Sequence, residues 1–173
     1  MPIQSKQQVL TQTLFRFYED PATLRILTDA LRSSGTGTRV SLRTLDWFVT
    51  NYARRRKVII PHGDRKVHVY LEYKGCLKAF SKKLFDPFQR RDRLVITDAE
   101  GEPLHTTVGQ LNFFRWAIEN GILEYTANHL RDIETDMATV QMQKTSTTYD
   151  CTRITSETKA HRPTVGIRVT RRS

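Results

Sequence analysis

The stretch of sequence that decides the fold is TVGQLNFFRWAIENG, residues 107–121. Thr107 and Gln110 have the spacing of a capping box, in which two residues satisfy each other's free backbone N–H groups at the start of a helix. The residues that follow are apolar at more positions than a single helical stripe requires. Asn120 and Gly121 are typical of a left-handed helix stop. The sequence therefore predicts that this helix is central in the fold.

Several shorter helices are predicted on either side of it. A capping box at Ser5 and Gln8 begins the first, and Asp20 followed by Pro21 begins the second. The third begins at Ser41 and ends in a run of basic residues whose charges complement the helix dipole. Its predicted buried face consists of Leu42, Leu45, Phe48, Val49 and Tyr52. A short amphipathic helix over residues 75–87 and a more acidic one over 122–137 complete the set.

Two β-hairpins are predicted between these helices. The first joins residues 58–61 to residues 66–73, where apolar residues alternate with polar ones as in a half-buried strand. The residues of that apolar face are Val67, Val69, Leu71 and Tyr73. The second hairpin joins residues 94–96 to residues 103–105. The predicted fold class is therefore α+β, a mainly helical small domain with a short antiparallel sheet and an extended C-terminal arm.

The arm is predicted to follow a single compact domain of residues 1–143. Residues 144–173 are rich in Ser, Thr and Arg, and they contain too few large apolar side chains to offset the chain entropy of folding. Near the end of the chain, β-branched apolar residues occur at every second position. This pattern is typical of a strand that adds to a neighbour's exposed edge. We expect the partner-binding residues of the arm to be Val165, Ile167, Val169, Arg171 and Arg172.

Charge is abundant and unevenly distributed. The 173 residues carry a formal net charge of +10, and 38% of them are apolar, which is enough for one core. Residues 54–93 contain 13 basic and 4 acidic side chains, whereas residues 98–136 contain 8 acidic and 2 basic ones. Such blocks predict faces of opposite sign, which suit a protein that bridges unlike partners.

No motif for catalysis or metal binding is readable. The five histidines show no ligand-pair spacing, and Cys76 and Cys151 lie far apart in the sequence. Cys76 lies between Lys74 and Lys78, which favours a thiolate, but no base is placed near it. We expect no enzyme activity, no metal and no cofactor. No apolar run is long enough for a membrane span and no signal-peptide layout is visible, so the chain is expected to fold in the cytoplasm.

A basic patch is the predicted partner-binding site of the domain. Its residues are Arg54, Arg55, Arg56, Lys57, Lys82, Lys83, Arg90, Arg91 and Arg93. These cations could neutralise phosphates, with Tyr70 or Tyr73 stacking on bases. They could equally contact acidic protein surfaces, and the aromatic residues could belong to the core.

Three blocks of the sequence resemble a family of small basic proteins of large icosahedral double-stranded DNA viruses of the chlorella-virus type. The blocks cover residues 41–56, 66–91 and 107–125, and their most distinctive parts read LDWFVTNY, KLFDPF and TVGQLNFFRWAIENG. The resemblance implies a minor capsid protein of the virion that cements capsomers from the inner side of the shell. It also implies the major capsid protein and other minor capsid proteins as partners. The alternative is a basic nucleic-acid-binding virion or regulatory protein.

Overall fold

The structure is a computed structural model that describes residues 5–32, 40–98 and 100–157, with side chains up to residue 143. Its helices are α1 (Lys6–Phe17), α2 (Pro21–Arg32), α3 (Leu42–Trp47), α4 (Ala53–Arg56), α5 (Val69–Leu84), α6 (Val108–Glu119), α7 (Ile122–Asn128) and α8 (Leu130–Glu157). Its strands are β1 (Ile59–His62), β2 (Arg65–His68), β3 (Arg93–Thr97) and β4 (Pro103–Thr107).

The strands form two separate antiparallel hairpins. In the first, Ile60 pairs with Val67, and in the second, Val95 pairs with His105. Helices make up most of the described chain, so the predicted α+β class is confirmed. The second hairpin was also predicted correctly, because its short apolar strands flank a turn with a glycine.

Helix α6 is central, as its sequence predicted. Leu111, Phe113 and Phe114 are completely buried, and α6 packs against α1, α5 and α7. The rings of Phe113 and Trp116 lie 5.6 and 5.5 Å from the ring of Phe85, both in edge-to-face geometry. The Gln110 N–H donates to the Thr107 hydroxyl at 3.1 Å, which caps the helix.

The starts of α1 and α2 are also formed as predicted. The backbone N–H of Gln8 donates to the Ser5 hydroxyl at 3.3 Å, and the Gln8 side chain accepts from the Ser5 N–H at 2.8 Å. Asp20 accepts from the N–H of Thr23 at 3.1 Å, directly before Pro21 at the first helical position. Local capping chemistry therefore sets both helix starts.

The third predicted helix contains a π-helical turn at Phe48–Tyr52, between α3 and α4. Phe48 and Val49 are completely buried, and Tyr52 is nearly so. The extra residue of a π turn rotates the following helix relative to the preceding one. Lys57 ends α4 in the left-handed conformation, with φ of 51°.

The second strand of the first hairpin is much shorter than predicted. It ends at His68, and residues 69–73 belong to α5 instead of a strand. Leu71, predicted to face inward, is 67% exposed. Val69 and Tyr73 also fit a helical repeat with the later apolar residues of α5, and packing of that face against the core favours the helix.

The end of the chain differs from the predicted extended arm. The acidic helix is interrupted at His129, and α8 then continues to Glu157, so residues 144–157 are helical. Neither Pro nor Gly occurs between residues 138 and 157, and an established helix therefore meets no residue that stops it. The predicted partner-binding residues of the arm lie outside the described residues.

The chain divides into two compact units between Asp136 and Met137. The first unit contains both hairpins, α1–α7 and the beginning of α8. The sequence placed this boundary after residue 143. Both surfaces described below belong to the first unit.

Candidate functional site

The predicted basic patch separates into two surfaces. All nine of its residues are exposed. Arg54 at α4 contacts Tyr70 in the first turn of α5, whereas Lys82 and Lys83 lie at the other end of that helix, beyond a break at Ser81. The first part of α5, residues 69–80, spans about 18 Å at 1.5 Å per residue. We call residues 54–57 the basic turn.

Two arginines of the basic turn lie over aromatic rings. The guanidinium of Arg54 is 5.6 Å from the ring centroid of Tyr70, and that of Arg56 is 4.8 Å from the ring of Tyr52. A cation over a ring face is attracted to it by about 0.5–1 kcal/mol at an exposed site. These contacts restrict both side chains while their charge stays accessible.

The remaining arginine of the turn is paired with a distant carboxylate. Arg55 forms a salt bridge with Asp136, whose carboxylate also accepts from the Trp47 indole N–H at 3.0 Å. The Asp136 side chain is only 12% exposed. Arg55 therefore ties α4 to the start of α8 and is a structural residue as well as a surface charge.

An apolar groove lies beside the basic turn and encloses about 440 Å³. Ile59 and Leu71 leave much of their apolar surface in water there, with exposures of 44% and 67%. The groove is lined by Ala53, Arg54, Lys57, Val58, Ile59, His68, Tyr70 and Leu71. Its walls are mainly hydrocarbon, and its charged groups are the cations of the basic turn.

A second concave surface, the cationic cleft, encloses about 270 Å³ next to the β3–β4 hairpin. It is lined by Leu42, Pro87, Phe88, Gln89, Arg90, Arg93, His105, Thr106, Thr107 and Gln110. Two of the predicted patch residues, Arg90 and Arg93, thus lie in one cleft. Arg91 lies between them in sequence but does not line it.

The segment that carries the cleft is fixed to α6 by hydrogen bonds. The Gln110 side chain donates to the carbonyl of Pro87 at 3.0 Å, and Asn112 donates to the carbonyl of Leu84 at 2.8 Å. Gly109 permits this close approach, because a Cβ there would lie 3.0 Å from the Lys83 carbonyl oxygen. The backbone position of the cleft is therefore set by the central helix.

The carboxyl group of Asp46 in α3 is partly buried and lies near a second carboxylate, that of Asp86. Burial, and then the neighbouring Asp86 carboxylate, raise the pKa of Asp46 to about 6. Burial, Asp46 and Asp86 together raise the pKa of the Tyr73 hydroxyl to about 12. The folded protein thus holds the Asp46 proton up to a higher pH than the unfolded chain does.

Residues 3–164 match the model of a family described as "Family of unknown function (DUF7197)". The chain belongs to this family. It is also 40% identical over 107 residues to "Uncharacterized protein L507" of Acanthamoeba polyphaga mimivirus, an alignment that covers 57% of this chain and 41% of that protein. The chain thus matches less than half of that relative's length. No solved structure matches.

The three sequence blocks resemble proteins of a viral family, and the similarity to a mimivirus protein agrees with that resemblance. The agreement extends to a viral protein family. Neither the family nor this relative is characterised as a capsid component. In this DUF7197 chain, no described helix is long and apolar enough to cross a membrane.

The described residues include no group of three or more His, Cys, Asp or Glu side chains placed to hold a metal ion. Burial, and then the charge of Glu72, raise the pKa of the Cys76 thiol. The sequence suggested the opposite direction because Lys74 and Lys78 are close in the chain. In the α5 helix the thiol is partly buried, so desolvation outweighs those exposed cations.

Sequence reasoning missed several residues of both surfaces. Leu71 was predicted to face inward, and neither Ile59, Phe88 nor His105 was predicted to belong to a binding surface. Phe88 is 48% exposed. The alternation of β3 and β4 could have placed His105 on the outer face beside Arg93.

Proposed function

We propose that the protein is a structural minor capsid protein that cements capsomers from the inner side of a large double-stranded DNA virus shell. Its partners in this role are the major capsid protein and other minor capsid proteins. The resemblance of three sequence blocks and the similarity to a mimivirus protein support a virion role.

The observation that carries the proposal is the apolar groove beside the basic turn. Exposed apolar surface with a polar rim is typical of protein docking sites. Ile59 and Leu71 provide surface that a partner side chain would remove from water, whereas a phosphate backbone would gain nothing from it. The cations at the rim favour a partner with acidic groups.

The way in which the arginines are held also suits a cementing role. Arg54 and Arg56 lie on aromatic rings, and Arg55 is paired with Asp136. Side chains that are ordered before binding lose less entropy when a partner docks. A small domain with a preordered rim can occupy one fixed position between larger proteins.

The alternative function is that of a basic nucleic-acid-binding virion or regulatory protein. The exposed cations of the cationic cleft favour it, and the two proposals differ in salt dependence. Binding dominated by phosphate contacts weakens steeply with salt because counterions are released. Docking through an apolar groove depends instead on the assembled protein partner.

The deciding experiment is cross-linking of purified virus particles before and after nuclease treatment and a high-salt wash. We expect Lys57, beside the groove, to cross-link to the major capsid protein in the washed, genome-free shells. A chain that leaves with the DNA and forms no cross-link to shell proteins would reverse the order of the two proposals.

A pair of matched variants tests the groove itself. Ile59→Asp places a charge in the groove, and we expect incorporation into particles to fall about tenfold, as for a central contact of an interface. Val9→Asp is the control, since Val9 on α1 is similarly exposed, at 48% against 44% for Ile59. Equal incorporation of the two variants would contradict docking through the groove.

The C-terminal arm remains a prediction in this scheme. Ending the chain after Gln143 should leave the fold of the first unit intact, because its core lies within residues 10–133. We expect the truncated chain to melt at the same temperature but to be retained less in particles. Full occupancy of the truncated chain would show that residues 144–173 are dispensable for assembly.

A further inference from the structure

The cationic cleft holds positive charge that no carboxylate of the described residues pairs with. Asp86 uses a carboxylate oxygen to accept the N–H of Phe88 at 2.8 Å, and Asp92 pairs with Lys83 at 3.1 Å. Asp92 adopts a left-handed conformation, with φ of 53°. Within the described chain, neither Arg90 nor Arg93 has a carboxylate partner.

The register of the β3–β4 hairpin places the His105 imidazole on the same face as Arg93. Arg93 is opposite Thr107, and Val95 is opposite His105, so Arg93 and His105 are diagonal neighbours across the two strands. Alternate residues of β3 are exposed, including Arg93. The outer face of the hairpin therefore presents Arg93 and His105 to the cleft together.

A flat apolar wall completes the cleft. Phe88 is 48% exposed and lies beside Pro87 and Leu42 in the lining. An exposed aromatic ring next to cations is the combination with which proteins bind single-stranded nucleic acid, because the ring stacks on a base and the cations contact phosphates. With about 270 Å³, the cleft is at the small end of ligand sites.

We infer that the cationic cleft binds one nucleotide unit of single-stranded nucleic acid. Arg90 and Arg93 contact its phosphate, and the base stacks on Phe88. An acidic peptide would neutralise the two arginines but would leave the Phe88 ring without a partner, so the nucleotide fits the lining better. This site is distinct from the apolar groove and goes beyond the proposed capsid role.

The inference is tested with the full chain and fluorescein-labelled oligothymidylate of about eight nucleotides, a length within the usual site size. Fluorescence anisotropy is measured at several salt concentrations. We expect Arg93→Gln and Arg90→Gln each to weaken binding about tenfold. Each should also lower the magnitude of the slope of log K against log salt by about 0.7, the value for one lost phosphate contact to a single strand.

Arg91→Gln is the matched control, because Arg91 is exposed and adjacent in sequence but does not line the cleft. It should change the affinity by less than about twofold, as expected for an ordinary surface substitution, and should keep the salt slope. Equal losses for Arg91→Gln and Arg93→Gln would overturn the inference, since they would indicate general attraction to a basic surface.

Phe88→Ala separates stacking from charge. We expect it to weaken oligothymidylate binding about tenfold while leaving the salt slope unchanged. Circular dichroism of each variant shows whether the fold is kept, and the two arginine variants provide the test if Phe88→Ala is unfolded. A folded Phe88→Ala chain that binds like the wild type overturns the inference.

Labelled oligoglutamate of the same length tests the competing ligand class. Tighter binding of oligoglutamate than of oligothymidylate, with the same dependence on Arg93, would assign the cleft to an acidic protein segment and overturn the inference. The capsid role and the nucleotide site fail in different experiments. The capsid role fails on particle cross-linking through Lys57, whereas the nucleotide site fails on solution binding through Arg93.

Discussion

The basic turn and the cationic cleft draw on the same kind of sequence but use their cations differently. In the turn, each arginine has an intramolecular contact: a tyrosine ring for Arg54 and Arg56, and a carboxylate for Arg55. In the cleft, Arg90 and Arg93 have no carboxylate partner among the described residues. A count of basic residues therefore does not reveal which charges remain available to a partner.

The difference follows from where the acidic residues lie. Asp136 is remote in sequence from Arg55 but adjacent in the fold, whereas Asp86 and Asp92 are close in sequence to the cleft arginines and are occupied elsewhere. Paired arginines give a rim of fixed shape, which suits a protein surface. Unpaired arginines keep a positive field, which suits a small anion.

The largest expected effect comes from separating the cleft from the central helix. In Gly109→Ala, the added Cβ would lie 3.0 Å from the Lys83 carbonyl oxygen and 3.2 Å from that of Asp86. Both are backbone atoms, so the segment must shift, and we expect a loss of about 1–3 kcal/mol in unfolding free energy. Urea denaturation measures this loss, and oligothymidylate binding should fall while groove-dependent incorporation is retained.

Gly75→Ala is the matched control for this substitution. No heavy atom lies within 4 Å of a Cβ built at Gly75 in α5, and the residue has no positive φ. Alanine is favoured over glycine inside a helix, so we expect a gain of up to about 1 kcal/mol. Equal stability of the two variants would show that α6 does not hold the cleft segment as described.

A smaller effect distinguishes a paired arginine from an unpaired one. Arg55→Ala removes the cationic partner of the largely buried Asp136 carboxylate and leaves it only the Trp47 N–H, so we expect a loss of about 1 kcal/mol. Arg90→Ala removes no ion pair of the described chain and should change stability by less than about 0.5 kcal/mol. Thermal unfolding of the two variants measures these changes. Equal destabilisation would contradict the difference between a paired Arg55 and an unpaired Arg90.

The smallest expected effect concerns the Asp46 carboxyl group, which lies near Asp86 of the segment that carries the cleft. The pKa of Asp46 rises from 3.8 when unfolded to about 6 when folded. Between those values the folded chain holds a proton that the unfolded chain has released, so stability falls as pH rises from about 4 to 6. Asp46→Asn removes this loss and should stabilise the protein at pH 7 by somewhat less than 1 kcal/mol, since water partly screens the group.

Urea denaturation at pH 3.5 and pH 7 measures this change. At the lower pH the wild type and Asp46→Asn should have nearly equal stability, because Asp46 is protonated in both states of the wild type. An Asp46→Asn chain that is less stable than the wild type at pH 7 would contradict the raised pKa and the repulsion from Asp86.

Features with a local cause could be predicted from the sequence. The caps at Ser5 and Thr107 follow from residues three positions apart, and the burial of α6 follows from its excess of apolar residues. The start of α5 could not be predicted, because Val69 and Tyr73 fit both a strand and a helical repeat. Only packing against the core distinguishes the two.

The surfaces depended on long-range contacts, which the sequence does not show. The pairing of Arg55 with Asp136 joins residues 81 positions apart. The cleft likewise joins Leu42 of α3, Arg90 of the loop before β3 and His105 of β4. The sequence indicated which residues were cationic, whereas the fold determined how they are grouped.

The π-helical turn at Phe48–Tyr52 has a consequence for how this surface can change over time. A π turn contains one residue more than the α-helical path that it replaces. Deletion of one residue there would rotate the three arginines of α4 by about 100° about the helix axis, away from Tyr70 and Asp136. A single-codon deletion there would thus turn the arginines of the basic turn toward another neighbour, with no new amino-acid type required.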